Sequence, residues 1–315
     1  MDYTSSAYEL LWQANAGAWS KDCCAALRQS AQAVALTTWL ATTIPLSAPA
    51  TIASQPALLA GDPTLAVFSR LRFNASGRVV EVGIEPLAGV LRDPRSVCGE
   101  GLVLLAPSLG LRVPHNGEIQ SHEFIGLDTA YLQRMSQGLQ SAHPPRRVFL
   151  FDLGCTRWSD RVMPGLRWLY DTYAAVGLHF TDIYAWEANP ERSRDFFDGM
   201  TLEVLSTFHF YNRAANNVRG SADNPLELLR LVARPEDFVV FKLDIDTPAV
   251  EKPIILDILG DPRYSCLIDE LYFEHHAAIP EMWPYWEDRV EGTLRESQAL
   301  FQALRRVGIL AHSWP

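Results

Sequence analysis

The stretch Asp237–Glu251, DFVVFKLDIDTPAVE, decides the reading of the fold. Val239, Val240 and Phe241 form an apolar run of β-branched and aromatic residues, which suits a strand buried on both faces. Lys242, Asp244 and Asp246 follow, and Thr247-Pro248 should stop the strand and start a helix. In open parallel α/β sheets, ligands bind just beyond the carboxyl ends of the strands. Two carboxylates at such an end are either site residues or loop and cap residues, and the rest of the chain has to decide which.

Outward from this stretch the pattern is regular. Val148–Leu153 reads as a strand, Gly165–Val176 as a helix, Phe180–Trp186 as a strand, Pro190–Asp198 as a helix and Ser206–Tyr211 as a strand. A helix over Pro225–Val232 leads into the quoted strand. Beyond it come a helix at Ala249–Leu259, a strand at Cys266–Phe273, a helix at Arg289–Val307 and a closing strand at Ile309–Ser313. Such alternation predicts an α/β fold, a Rossmann-like doubly wound sheet with right-handed crossovers. His143-Pro144-Pro145 marks a boundary, since prolines end any helix before them. The α/β domain is therefore placed at 146–315. Residues 1–145 read as an N-terminal α+β cap or substrate-shaping region. It has two helices across 5–42, a Pro/Ala/Ser-rich loop at 45–63 and a hairpin of Leu65–Phe73 and Arg78–Ile84. A short apolar run at Leu102–Leu105 and a helix at Asp128–Leu139 follow.

Composition narrows the function. The chain has 315 residues, 48% apolar and 20% charged, which is ordinary globular composition and enough for a sizeable core. A formal charge of −10 leaves no basic surplus to neutralise phosphates, so neither nucleic acid nor an anionic membrane surface is expected as a general partner. Five cysteines without a CxxC pair indicate neither a zinc ribbon nor a disulfide framework, and reduced thiols in a cytoplasmic setting are the default. From Gln29 to Gly61 there is no charged residue. Threonines and prolines dilute this run, which favours a buried amphipathic helix followed by a loop; a signal-anchor over 33–53 is the alternative.

Candidate chemistry lies at the strand ends. Asp152-Leu153-Gly154-Cys155 closes the first strand of the α/β half, where a glycine lets a ligand approach the backbone and an acid can hold a polar group. Glu187, in Tyr184-Ala185-Trp186-Glu187-Ala188-Asn189-Pro190, closes the second, and a carboxylate there can accept both hydroxyls of a ribose. Together these two ends suit an adenosine-bearing ligand. Glu274-His275-His276 follows the fifth strand, and its two histidines, His275 and His276, join Asp244 and Asp246 as candidate bases.

The segments FLFDLGC, IYAWEANP, FVVFKLDIDTPAVE and LIDELYFEHH resemble the S-adenosylmethionine-dependent methyltransferases of the FkbM type, over about residues 147–315. The resemblance implies a class I methyltransferase type of Rossmann-like fold, S-adenosylmethionine as cofactor and methyl transfer to an oxygen of a small molecule or glycan. It also implies that Asp152, Gly154, Glu187 and Asn189 line the cofactor, while Lys242, Asp244 and Asp246 face the acceptor. His275 or His276 would then stand beside them as a base. The chain departs from that pattern after Gly154, where no second glycine occurs until Gly165, and Thr247 takes the place of a family glycine. A different enzyme reading uses Asp244-Ile245-Asp246 as a D-x-D pair holding a divalent cation for a nucleotide-sugar glycosyltransferase, because alternate residues of an extended strand share a face. In a third reading the acids only cap helices on a non-catalytic scaffold.

Overall fold

The computed structural model describes residues 2–36, 66–75, 78–87, 146–160, 165–175, 177–286 and 288–314. The chain folds as two compact units. One is formed by Met1–Arg134, His275–Gln302 and Ser313–Pro315, and the other by Met135–Glu274 and Ala303–His312.

The first unit contains a three-stranded sheet in the order β1 (Asp2–Thr4), β2 (Ser69–Ala75), β3 (Arg78–Ile84), with antiparallel pairing. The hairpin read from sequence is therefore present, but β1 was not expected; three residues are too few to show a period. Helices run over Ala7–Ala14, Ala16–Trp19 and Cys23–Gln29. Ser6 caps the first, its hydroxyl accepting from the Glu9 amide. Glu9 itself is fully buried and satisfied six times. Its carboxylate accepts from Tyr3 Oη at 2.5 Å, Ser5 Oγ at 2.6 Å, Ser69 Oγ at 2.7 Å, Gln302 Nε2 at 2.9 Å, the Leu87 amide at 3.0 Å and Gln13 Nε2 at 3.1 Å. One carboxylate thus ties β1, the first helix, β2, the chain beyond β3 and the segment at 302.

Cys24 is disulfide-bonded, whereas Cys23, Cys155 and Cys266 are free thiols. This corrects the expectation of reduced cysteines for Cys24: spacing alone carries no information about residues paired across the fold. It also removes the ground for favouring a reducing compartment. No helix among the described residues is long and apolar enough to cross a membrane. The loop at 45–63, the run at 102–105, the helix at 128–139, the boundary at 143–145 and most of the 33–53 stretch lie outside the described residues.

The second unit holds a six-stranded sheet built from β4 (Val148–Leu153), β5 (Asp182–Trp186), β6 (Phe208–Tyr211), β7 (Phe238–Leu243), β8 (Glu270–Phe273) and β9 (Leu310–Ser313). Their spatial order is β6-β5-β4-β7-β8-β9. The pairings of β4 with β5 and β7, of β5 with β6 and of β7 with β8 are parallel. Counted within the unit this is the order 3-2-1-4-5-6, as in a doubly wound α/β sheet. Every residue of β4 and β7 is buried, as central parallel strands require. Across four neighbouring strands the rings of Phe241, Phe151, Trp186 and Tyr211 lie nearly parallel in sequence, with centroid separations of 5.8, 6.2 and 4.7 Å.

Connecting elements are shorter than the sequence suggested. The helix expected at Pro190–Asp198 is one turn at Ser193–Phe196. β6 starts at Phe208 because Thr201 caps a short helix, Leu202–Ser206, before it. β8 starts at Glu270, behind a turn of helix at Pro262–Ser265 capped by Asp261. The last long helix begins at Leu294 through a reciprocal cap: the Thr293 amide donates to Glu296 Oε2 at 2.7 Å, and the Glu296 amide to Thr293 Oγ1 at 3.2 Å.

Replacing Glu9 by alanine leaves several buried donors unsatisfied and should lower the stability of the first unit by about 3 kcal/mol, read as a shift in urea midpoint. Glu9→Gln should cost less, because hydroxyls can turn to suit an amide. An alanine variant as stable as the parent would contradict the tie.

Candidate functional site

Parallel register sets Asp152 on β4 directly beside Lys242 on β7. Both side chains are buried, and they meet as an ion pair with Lys242 Nζ 3.0 Å from Asp152 Oδ1. The same ammonium donates to the Gly154 carbonyl at 2.8 Å and lies 3.3 Å from Asp244 Oδ2. It thus donates to one carbonyl and lies within ion-pair distance of two carboxylates. Burial favours the neutral amine, but Asp152 and Asp244 outweigh it and hold the ammonium above the ordinary lysine range. Asp152 Oδ2 is buried and accepts no hydrogen bond among the described residues.

Gly154 sits with φ 79°, and an added Cβ would lie 1.5 Å from the Asp244 carbonyl oxygen. The missing side chain therefore admits the backbone of the neighbouring strand end. The Asp244 amide returns a bond to the Leu153 carbonyl at 3.1 Å, and the Gly154 and Cys155 amides both donate to the Trp186 carbonyl at 3.0 Å. The turn's amide hydrogens are thus spent on the sheet itself. The Cys155 thiol is buried, and burial followed by the Asp152 charge pushes its pKa up, which favours the neutral thiol.

Asp244 is strongly perturbed. Burial raises its pKa to about 8, Lys242 opposes this, and the charge of Glu274 and a hydrogen bond to it add to the rise. The two carboxyl groups hold one proton between them near neutral pH. Glu274 is fixed at the end of β8 by its amide, which donates to the Leu243 carbonyl at 3.1 Å. Glu251, buried at the start of the helix Pro248–Gly260, accepts from the Ile245 amide at 2.9 Å. Thr247-Pro248 does start that helix, with proline in its first turn. Because β7 ends at Leu243 and Asp246 takes φ 53°, Asp244 and Asp246 are not alternate residues of an extended strand, and the shared-face premise of the D-x-D reading fails.

At the end of β5, Glu187 Oε1 accepts from the Asn189 amide at 2.6 Å. Asn212, just past β6, clamps this turn. Its Nδ2 donates to the Glu187 carbonyl at 2.7 Å and the Asn189 carbonyl at 2.6 Å, and its Oδ1 accepts from the Glu191 amide at 2.9 Å. Arg157 pairs with Glu191 at 2.8 Å, tying the turn after β4 to the turn after β5.

The second unit thus brings together Asp152, Gly154, Lys242 and Asp244, with Glu187 and Asn189 at the adjacent strand end and Asp246 exposed on the turn beyond β7. His275 and His276 belong to the first unit and are engaged there. His275 Nδ1 lies 2.6 Å from Ser297 Oγ; His276 Nδ1 lies 2.8 Å from the Arg289 carbonyl, and its ring stacks on Trp286 at 4.8 Å. Sequence reasoning gave no role to Glu274, Glu251 or Asn212. An amide residue just after a strand, as in Tyr211-Asn212, was the only available signal for the clamp.

No family model, curated protein or solved structure matches the chain.

Lys242→Met should cost the second unit about 3–5 kcal/mol in chemical denaturation, because it leaves the Asp152 charge buried and unpaired. Adding Asp152→Asn should recover part of that loss. The pH dependence has a definite sign. Unfolded, Asp244 releases its proton near pH 4, whereas folded it keeps it to about 8. Across that window the folded state binds more protons, so stability falls as pH rises. Asp269, pushed up to about 7 by burial, contributes in the same direction. Asp244→Asn should flatten the slope measured by urea denaturation between pH 4 and pH 8; an unchanged slope would contradict the shared proton.

Proposed function

We propose that the second unit is an S-adenosylmethionine-dependent methyltransferase domain that methylates an oxygen of a small molecule or glycan. What carries this reading is one arrangement: Asp152-Leu153-Gly154 and Glu187 close the two adjacent strands β4 and β5 in a sheet of order 3-2-1-4-5-6. The gap between β4 and β7 is the point where that order reverses, and this is where such sheets take their ligands.

The donor set fits an adenosine-bearing group at Glu187. That side chain is half-buried at a strand end, and its carboxylate is oriented by the Asn189 amide, as a receiver of two ribose hydroxyls must be. Asp152 Oδ2, buried without a donor among the described residues, suits a cationic or N–H group of a ligand. The cofactor, when bound, supplies an electrophilic methyl group. The chain's own tasks are then to align the acceptor and to remove its hydroxyl proton. Asp244 with Glu274 is suited to the second task, since a carboxyl pair sharing one proton near neutral pH can both take and hold a proton. Lys242 positions Asp244 at 3.3 Å and is a positioning residue. The scaffold reading draws support from the Gly154 turn, whose amides are already bonded to the Trp186 carbonyl.

Calorimetric titration of the full chain with S-adenosylmethionine and S-adenosylhomocysteine tests the proposal, with a nucleotide sugar plus manganese as the contrast. Binding of the first pair, lost in Glu187→Ala and kept in Asp246→Asn, is the expected result. Heat only with the sugar nucleotide and metal, or no heat with any ligand, would overturn it.

A further inference from the structure

Away from the strand ends, the second unit buries a second set of ionisable groups. Glu270 and Tyr272 alternate along β8 and so share one face of the sheet. Against that face lies Tyr173 from the helix Gly165–Ala175, and beside it His312 from β9. Glu270 Oε2 accepts from Tyr173 Oη at 2.5 Å, and Oε1 accepts from Tyr272 Oη at 3.1 Å and lies 2.9 Å from His312 Nε2. The two phenol oxygens are 3.1 Å apart, and the imidazole stacks on Tyr272 with centroids 4.8 Å apart. None of the four residues is more than 2% exposed.

A carboxylate taken out of water needs a countercharge or a proton. The two tyrosines offer hydrogen bonds but no charge. Burial, and then the nearby Glu270, hold the Tyr173 phenol well above its ordinary range, so it stays neutral. Among the described residues no lysine or arginine pairs with Glu270, and His312 is the only basic group that reaches it. A neutral imidazole could donate through Nε2, but a net negative charge would then remain in the core. An aromatic face also favours the cationic ring. We infer that His312 is held as an imidazolium by Glu270, and that this ion pair is a proton-dependent latch fastening the closing strand β9 to β8.

Other charged groups border the pair. Arg305, buried on the last helix, donates from Nε to the Ala311 carbonyl at 2.9 Å and opposes a second cation. Asp269, next to Glu270, supports the imidazolium once it ionises; its carboxylate accepts from the Val239 amide at 2.8 Å. Lys242 and Asp152 of the strand-end site compensate each other. The sign follows from linkage: a histidine whose folded pKa is raised adds stability that is complete below its unfolded value, near 6.5, and lost as pH rises through the folded one. The latch is therefore closed in acid and at neutrality and opens in alkali.

Histidine side-chain NMR on the full chain from pH 5 to pH 9.5, with His312→Asn to assign the signal, tests this directly. An imidazolium signature at pH 7.5 and a midpoint at least about one unit above the ordinary 6.5 are expected. A neutral His312 at pH 6.5 would overturn the inference. Glu270→Gln should bring the midpoint to about 6.5 or lower; a midpoint left where it was would also overturn it. In the parent chain, amide exchange at Leu310–His312, corrected for the intrinsic effect of pH, should speed up about tenfold once His312 is neutral, and unchanged protection would refute the latch. The parent titration and exchange decide the matter even where the Glu270 variant does not fold. S-adenosylmethionine binding enters none of these readouts, so the result stands apart from the proposed activity.

Discussion

The second unit is arranged around one buried ammonium. Lys242 can lie 1% exposed only because the Gly154 carbonyl accepts a proton from it and Asp152 and Asp244 stand beside it as countercharges. Each partner imposes a condition. Asp152 requires β4 and β7 to be parallel and in their observed register. The Gly154 carbonyl requires the chain to turn left-handed after β4, against the backbone of Asp244, where no side chain fits. Asp244 requires the chain to leave the strand just after Leu243, which carries it towards Glu274 and raises its proton affinity. Removing the ammonium would therefore undo a charge balance, a turn and a proton site together.

This charge balance divides the strand ends by role. On the β4–β7 side Lys242 offsets Asp152, and Asp244 keeps its proton beside Glu274. On the β5 side Glu187 has no cation paired with it among the described residues; the Asn189 amide orients it, and Asn212 holds the carbonyls of that turn. The two ends thus differ in charge: one buries a cation among carboxylates, and the other presents a carboxylate held by main-chain contacts. The separation follows from which strand carries the lysine.

How far the sequence foretold this depended on the range of the forces involved. Val148–Leu153 and Phe238–Leu243 were legible because burial on both faces leaves an uninterrupted apolar run, and the doubly wound sheet followed from its alternation with helices. Thr247-Pro248 was legible because proline acts locally. The four-residue helix at Pro262–Ser265 was not, since one turn carries no periodicity, and for the same reason the turn at Ser193–Phe196 was read too long, as Pro190–Asp198. Gly154 was noted, but the group opposite it comes from a strand about ninety residues further on, and no local pattern encodes such a contact. The role of Glu9 was not legible, since its partners at Ser69, Leu87 and Gln302 are distant in the chain. Asp246 was read as part of an extended strand, whereas its φ of 53° depends on how the turn meets the following helix.

The four rings of Phe241, Phe151, Trp186 and Tyr211 bear on something other than binding. A one-residue slip of any strand turns all its side chains to the opposite face. Here such a slip would remove a ring from a continuous stack whose other members sit on three different strands. Alignment of β6, β5, β4 and β7 is therefore a collective property, checked by each strand against its neighbours. Parallel strands, joined only through distant crossovers, have no hairpin turn to set their alignment. The stack supplies that reference, and so protects the strand ends, where an error of one residue would separate Asp152 from Lys242.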